Sequence, residues 1–194
     1  MNKHWQTIAS EYVVKDRWLT LRADRCVTPS GVAVEPYYVQ ELPEWVNIVA
    51  FDEQQRILLI EQYRHGIGEV TLEVPAGCVD NGEDPEIAAK RELLEETGCE
   101  VSALCKLPVQ LPNPARSTNR MHQFVGIGAR LVGAQNLDTS EAISFRFVPA
   151  VEVLRMIDSG EFCMSLHITN ILMGIRHLNA LGRQRAIDWR EIPL

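Results

Sequence analysis

Residues 77–99 read GCVDNGEDPEIAAKRELLEETGC, and the reading of this stretch fixes the rest. Asp84 followed by Pro85 marks a helix start: a side-chain oxygen caps the first free N–H groups, and the proline ring already holds the helical φ. Gly98 marks the stop, in a left-handed cap. Between them Glu92, Glu95 and Glu96 stand at i, i+3 and i+4, on one helix face. Like charges at this spacing repel, so the helix loses stability by carrying them. A bound cation relieves that repulsion. Carboxylate oxygens crowded together suit a hard divalent ion, Mg2+ or Mn2+. Ile87, Leu94 and the neighbouring alanines are predicted to form the inner, packed stripe of this helix.

The chain has 194 residues, 46% of them apolar. That is enough for one large domain, or one domain with an extension, around a sizeable core. The net charge of −7 is spread out, without a basic run. Nonspecific nucleic-acid binding needs a cationic surface and is not expected. A small phosphorylated substrate, held by a few arginines and a metal, remains compatible. The five cysteines, Cys26, Cys78, Cys99, Cys105 and Cys163, contain no C-x-x-C pair. They read as reduced thiols, not as a disulfide framework or a zinc site. The first residues, MNKHWQTIASEYVV, lack the apolar core of a signal peptide. No apolar run approaches the ~20 residues of a membrane span. A soluble cytoplasmic protein is expected.

Residues 11–42 read as a small β unit, with Tyr12–Val14, Trp18–Val27 and Val32–Gln40 as strands and Pro29-Ser30-Gly31 as a turn. A sheet this small is marginal alone and needs a surface to pack on. The expected division is a β subdomain over residues 1–43 and a main domain over 44–194. Trp45–Phe51 and Arg56–Tyr63 read as a hairpin, and Glu69–Val74 as a short strand ending at Pro75. After the acidic helix, Val101–Val109, Met121–Leu131 and Phe145–Val148 read as strands, then Ala150–Asp158 and Ser165–Leu181 as closing helices. Ile168, Ile171, Leu172, Ile175 and Leu178 give the last helix its apolar face. This order predicts an α+β fold, a mixed α-β-α sandwich with helices flanking a mixed sheet, and an N-terminal antiparallel β extension.

Gly77, Glu83, the run Arg91-Glu92-Leu93-x-Glu95-Glu96 and Gly98-Cys99 together resemble the Nudix box. Every fixed polar and glycine position is present; Cys99 stands where a larger aliphatic residue is common. The resemblance, which extends over roughly residues 44–180, implies hydrolysis of a nucleoside diphosphate linked to another group. It implies that Glu92 and Glu96 bind the metal and that Ala76 adds its backbone carbonyl. Glu95 would be either a ligand or a base just outside the ligand set. Glu83 and Arg91 would orient the loop and helix by ion pairing, with Gly77 and Gly98 as structural positions.

Beyond the box, Pro114, sixteen residues after Gly98 in LPNPARSTNR, resembles the ADP-ribose pyrophosphatase branch, in which the loop often reads S-P-G. The N-terminal β unit resembles the dimerisation extension of ADP-ribose and nucleotide-sugar pyrophosphatases, so a homodimer is implied. Arg64 resembles an arginine that reaches the substrate phosphates, and Glu73, in LEVPAG, a glutamate that supports the site. Glu141, four residues before Phe145, matches a loop glutamate that activates water in this branch. Asn119 occupies the place where the Pro114 loop sometimes carries another glutamate. Trp45 and Trp5 are candidates for stacking on adenine or, alternatively, for packing. His65, His122 and His167 lack ligand spacing and read as surface or core histidines. The expected activity is Mg2+-dependent hydrolysis of ADP-ribose to AMP and ribose 5-phosphate. The alternatives are another nucleotide sugar such as GDP-mannose, or a non-catalytic ADP-ribose sensor.

Overall fold

The computed structural model of the protein describes residues 3–194, which divide into two compact units. The first comprises residues up to Glu44 together with Leu111–Arg120. Strands β1 (Gln6–Lys15), β2 (Thr20–Val27) and β3 (Ala33–Gln40) form an antiparallel sheet in that order. The Asp16 carboxylate closes the first turn by accepting the Trp18 and Leu19 N–H groups at 2.7 and 2.8 Å. Strand β1 begins earlier than the sequence pattern suggests, because its residues are exposed along almost the whole strand and show no alternation. The 111–120 segment joins this unit through Arg116 and Thr118, whose backbones bond to Gln40 at 2.7 and 3.1 Å.

The second unit, Trp45–Gln110 with Met121–Leu194, holds the core. Its strands are β4 (Trp45–Phe51), β5 (Arg56–Arg64), β6 (Glu69–Glu73), β7 (Ala76–Cys78), β8 (Cys99–Glu100), β9 (Ala103–Lys106), β10 (Met121–Ile127), β11 (Arg130–Leu131) and β12 (Ile143–Pro149). Helices are α1 (Pro85–Thr97), α2 (Ala150–Ser159) and α3 (Ser165–Arg183). A mixed seven-stranded sheet runs β12-β5-β4-β10-β9, with β6 beside β5 and β7 beside β4; β8 and β11 pair separately. Strand β4 is the centre, parallel to β10. Its alternation sends Val46, Ile48 and Ala50 toward Ala88, Ala89 and Leu93 of α1. Val49 and Phe51 go the other way, onto Ile171, Ile175 and Leu178 of α3. Gly174 lets α3 come close, since a Cβ there would lie 2.6 Å from Val49. The unit is therefore an α-β-α sandwich. Among the described residues, no helix is long and apolar enough to cross a membrane.

Three sequence expectations change. Ile87 and Leu94 are 60% and 39% exposed, and the buried face of α1 is Ala88, Ala89, Leu93, Glu96 and Thr97. The sheet takes the small residues because they allow close approach, which turns the two bulkier ones outward. Strands β4 and β5 turn tightly, with the Asp52 N–H on Arg56 O at 3.0 Å, but pair only at Phe51 and Ile57. Beyond that point β4 pairs with β7, and β5 with β6 and β12. The expected 101–109 strand shrinks to β9, the stretch Ala103–Lys106 that pairs with β10, and Cys99 and Glu100 before it pair with β11.

Candidate active site

Helix α1 is built as its ends require. The Asp84 carboxylate accepts the Glu86 N–H at 2.7 Å, Pro85 opens the first turn, and Gly98 closes the last at φ 67° with its N–H on Leu94 O. A side chain at Gly98 would meet Gly133 O at 2.3 Å, so close approach also demands glycine. The preceding loop is tied down by one side chain. Arg91 grips Glu83 through two bonds of 3.0 and 2.9 Å, bonds Cys78 O at 3.0 Å, and reaches Glu92 at 2.7 Å and Glu95 at 3.1 Å. The Arg91 guanidinium, helped by the Asp80 N–H, pulls the Glu83 carboxyl down to about 2. Strand β7 pairs with β4 at Trp45–Asn47, and Gly77 leaves room for the Glu92 carboxylate, which would lie 2.1 Å from a Cβ there.

Here the chain encloses a cavity of about 480 Å3. Of the residues singled out in the sequence, Trp45, Arg64, Ala76, Gly77, Arg91, Glu92, Glu95, Glu96 and Glu141 line it. Gln62, Cys78, Asp80, Asn136 and Asp138 line it as well. Gln62 was accessible to sequence reasoning, because it lies two residues from Arg64 on one strand and shares its face. Cys78 ends the three-residue β7, and Asp80, Asn136 and Asp138 sit on loops, so none of them has a periodic pattern to mark it. Glu73, Pro114 and Trp5 are not on this wall. Pro114 sits in the first unit, in a turn where Asn113 O accepts the Arg116 N–H at 2.9 Å, and Trp5 packs edge-on against Tyr37. Asn119 is buried in the same unit.

Glu73 is fully buried behind the wall and not a strand-edge surface charge. Its carboxylate receives the Arg64 guanidinium through two bonds of 2.6 Å and the Thr71 hydroxyl at 2.6 Å. This bidentate fork fixes the Arg64 head group at the cavity edge. Glu73 therefore acts on the cavity through Arg64. The buried His167 of α3 stands on the other side, with Nε2 3.6 Å from Glu73 and Nδ1 accepting the Val74 N–H at 3.0 Å. Burial lowers the imidazole to about 4, and a ring whose Nδ1 accepts a hydrogen bond is in its neutral form. Burial alone would raise Glu73, but its net shift is downward. With His167 neutral, Arg64 is the partner that keeps it ionised.

The opposite wall is unbalanced. Glu96 is 3% exposed and accepts one backbone bond, from Ala76 N–H at 3.0 Å. Burial, with Glu92 and Glu141 adding repulsion, pushes its carboxyl up to about 9. Burial likewise raises Glu92, against the pull of Arg91. The cavity collects the carboxyls of Asp80, Glu92, Glu95, Glu96, Asp138 and Glu141 against the guanidiniums of Arg64 and Arg91, both already engaged in ion pairs. Among the described residues, no trio of side chains is drawn together tightly enough to hold a metal. Glu92 and Glu95 lean to Arg91, and Glu96 to the Ala76 N–H. The donor set nevertheless fits a hard cation. The donors are carboxylate oxygens on one helix face beside a glycine cradle, and the repulsion among them is what a cation removes.

Residues 42–164 match the family described as NUDIX domain, and residues 5–40 match the nucleoside diphosphate sugar hydrolase N-terminal domain. An ADP-ribose pyrophosphatase of Mycobacterium tuberculosis is 31% identical over 193 residues, 97% of this chain and 93% of that protein. A CMP-5'-(N-acetyl-N-hydroxy-3-aminopropyl)phosphonate hydrolase of Streptomyces rubellomurinus is 34% identical over 77% of this chain and 72% of its own. The solved structure of an ADP compounds hydrolase superposes with a TM-score of 0.82 over 92% of this chain and 96% of that one, at 22% identity. It shares the fold.

Proposed function

The chain belongs to the Nudix family of hydrolases, whose members generally use a divalent metal ion, and on that footing we propose that it hydrolyses ADP-ribose to AMP and ribose 5-phosphate with Mg2+, Mn2+ being the alternative ion. The observation that carries the reading is the excess of carboxylates in one cavity with both its arginines already paired. Such a cavity repels a bare pyrophosphate and accepts one accompanied by cations. The relative named ADP-ribose pyrophosphatase spans nearly the whole chain and supports the ADP-ribose assignment. The CMP-derivative hydrolase supports the wider class, nucleotides linked through phosphorus to a second group.

Glu92, Glu96 and the Ala76 carbonyl would hold the ion, with Glu95 beside them. When bound, a divalent ion neutralises phosphoryl charge and lowers the pKa of a water. The chain's own groups do the remaining work. Arg64, fixed by Glu73, grips the pyrophosphate oxygens. Glu141 faces the same cavity from the loop before β12 and takes the proton of the attacking water. Trp45, at the cavity edge, offers a face for the adenine. Arg91 and Glu83 keep the loop and helix in register.

We assign residues 1–43 to a dimerisation element and 44–194 to the hydrolase domain. The exposed Ile8, Tyr12, Val13 and Trp18 of the first unit support a homodimer. The five free thiols favour a reducing, cytoplasmic setting. The deciding experiment is turnover of ADP-ribose, GDP-mannose and a CMP-linked substrate with Mg2+, read as released nucleoside monophosphate. ADP-ribose is expected to be the best of the three. Preference for another substrate would overturn the assignment within the family, and no turnover at all would favour a sensor.

A further inference from the structure

One side chain outside the box and the Arg64 clamp ties two walls of the cavity together. Gln135 lies between β11 and β12, and its Nε2 donates to Glu96 O at 2.5 Å and to Ile143 O at 3.0 Å. Glu96 O belongs to the last turn of α1, where carbonyls have no partner within the helix. Ile143 O opens β12. Both hydrogens of one amide are thereby spent on joining the end of the acidic helix to the base of the strand that follows Glu141.

The backbone around Gln135 reinforces this seam. The Asn136 N–H donates to Glu95 O at 2.9 Å, and the Val132 and Gly133 N–H groups donate to Gly98 O at 2.9 and 3.1 Å. From there the chain crosses the cavity edge through Asn136 and Asp138 to Glu141. A closed turn holds Glu141: its N–H donates to Asp138 O at 2.9 Å, and its carboxylate accepts the Asp138 N–H at 3.1 Å. Its loop is anchored at residue 136 on one side and at residue 143 on the other. Gln135 is the side chain that bonds both the helix and the far anchor.

We propose that Gln135 is a positioning residue, which sets the distance between the Glu141 carboxylate and the glutamates of α1 by clamping the Glu141 loop to the helix end. The proposal rests on the reading of Glu141 as the base. Removing the amide leaves the backbone bonds of residues 132, 133 and 136 in place, so the unit still folds. Ile143 stays paired with Gln62 of β5, but the direct link between α1 and the start of β12 is gone, and a misplacement of about 1 Å in a reacting group costs on the order of 10^2-fold in rate.

The test is a double-mutant cycle of Gln135→Leu and Glu141→Gln on the full chain, with kcat, KM and the thermal midpoint read for each protein. Gln135→Leu is expected to lower kcat about 10- to 100-fold, to leave KM nearly unchanged, to lower the midpoint modestly because two carbonyls lose a donor, and to have little further effect on kcat in Glu141→Gln. Unchanged kcat in Gln135→Leu overturns the proposal. Additive losses do so too, while leaving Glu141 standing as the base. Full activity of Glu141→Gln alone overturns the base reading and this proposal with it. Should Gln135→Leu not fold, Gln135→Asn keeps the amide but falls one methylene short, and the same comparison decides.

Discussion

Glu73 and Glu96 are the same residue type, both almost wholly buried beside one cavity, and they are shifted in opposite directions. Burial penalises both charges. Glu73 answers that penalty with a bidentate guanidinium and a hydroxyl. Glu96 has one backbone N–H and several carboxylates nearby. What separates them is partners, not depth. The Arg64 side of the cavity is electrostatically complete as it stands, whereas the α1 side keeps Glu96 from ionising and carries a surplus of carboxyls that suits a cation.

The sharpest way to break this contrast is Glu96→Gln. If Glu96 waits for an ion, turnover falls on the order of 10^3-fold or more. The ion-free variant keeps its thermal midpoint, and the rise in midpoint caused by adding Mg2+ disappears. A Mg2+-dependent rise equal to that of the parent would remove Glu96 from the ligand set. Arg64→Ala tests the other side. It strips Glu73 of the group that offsets its burial and should cost about 3 kcal/mol in denaturant titration, along with a higher KM. A loss below about 1 kcal/mol, typical of exposed pairs, would show that the clamp is not what keeps Glu73 charged.

His167 gives the contrast a pH signature of similar or smaller size. Its folded pKa is about 4, against about 6.5 in an unfolded chain. Between these values the unfolded state binds a proton that the native state does not, so stability rises with pH. The contribution is complete above about pH 6.5 and is lost as pH falls toward 4, about 3 kcal/mol at most. Glu96 slopes the other way, its native proton costing stability as pH rises from about 4.5 toward 9. Subtracting the pH–stability curve of His167→Gln from that of the parent isolates the histidine. A flat difference between pH 6.5 and 4 would show that the ring charges in place. Gly77→Ala is expected to change stability little. The new methyl displaces only the flexible end of Glu92, so the midpoint should move little while Mg2+ affinity falls about tenfold. Unaltered affinity would separate Glu92 from the ion.

What was legible in the sequence follows from the range of the interactions. The ends of α1 could be read because Asp84, Pro85 and Gly98 act within one turn of themselves. The grip of Arg91 on Glu83 came with the box. The packed face of α1 was only partly legible: Ala88 and Ala89 pack inward as expected, but Ile87 and Leu94 show only that the helix is amphipathic, and the sheet turns them outward. Arg64 and Glu141 could be singled out only by resemblance, because a lone charged residue on a strand end or loop carries no pattern. The pairing of Glu73 with His167 could not be read at all: the two lie on elements far apart in the chain, and nothing local in either announces the other.

The reach of α3 into this site has a consequence for synthesis. His167 bonds Val74 across 93 residues, and Asn170 bonds Asn47 across 123. A nascent chain that has already exposed the whole 77–99 stretch still lacks both bonds, and the back of its Arg64 clamp is open. Local helices form early and contacts between distant residues late. The half-made protein therefore carries its acidic helix while Glu73 is still open at the back, and that carboxylate is buried only when the last helix has left the ribosome and docked.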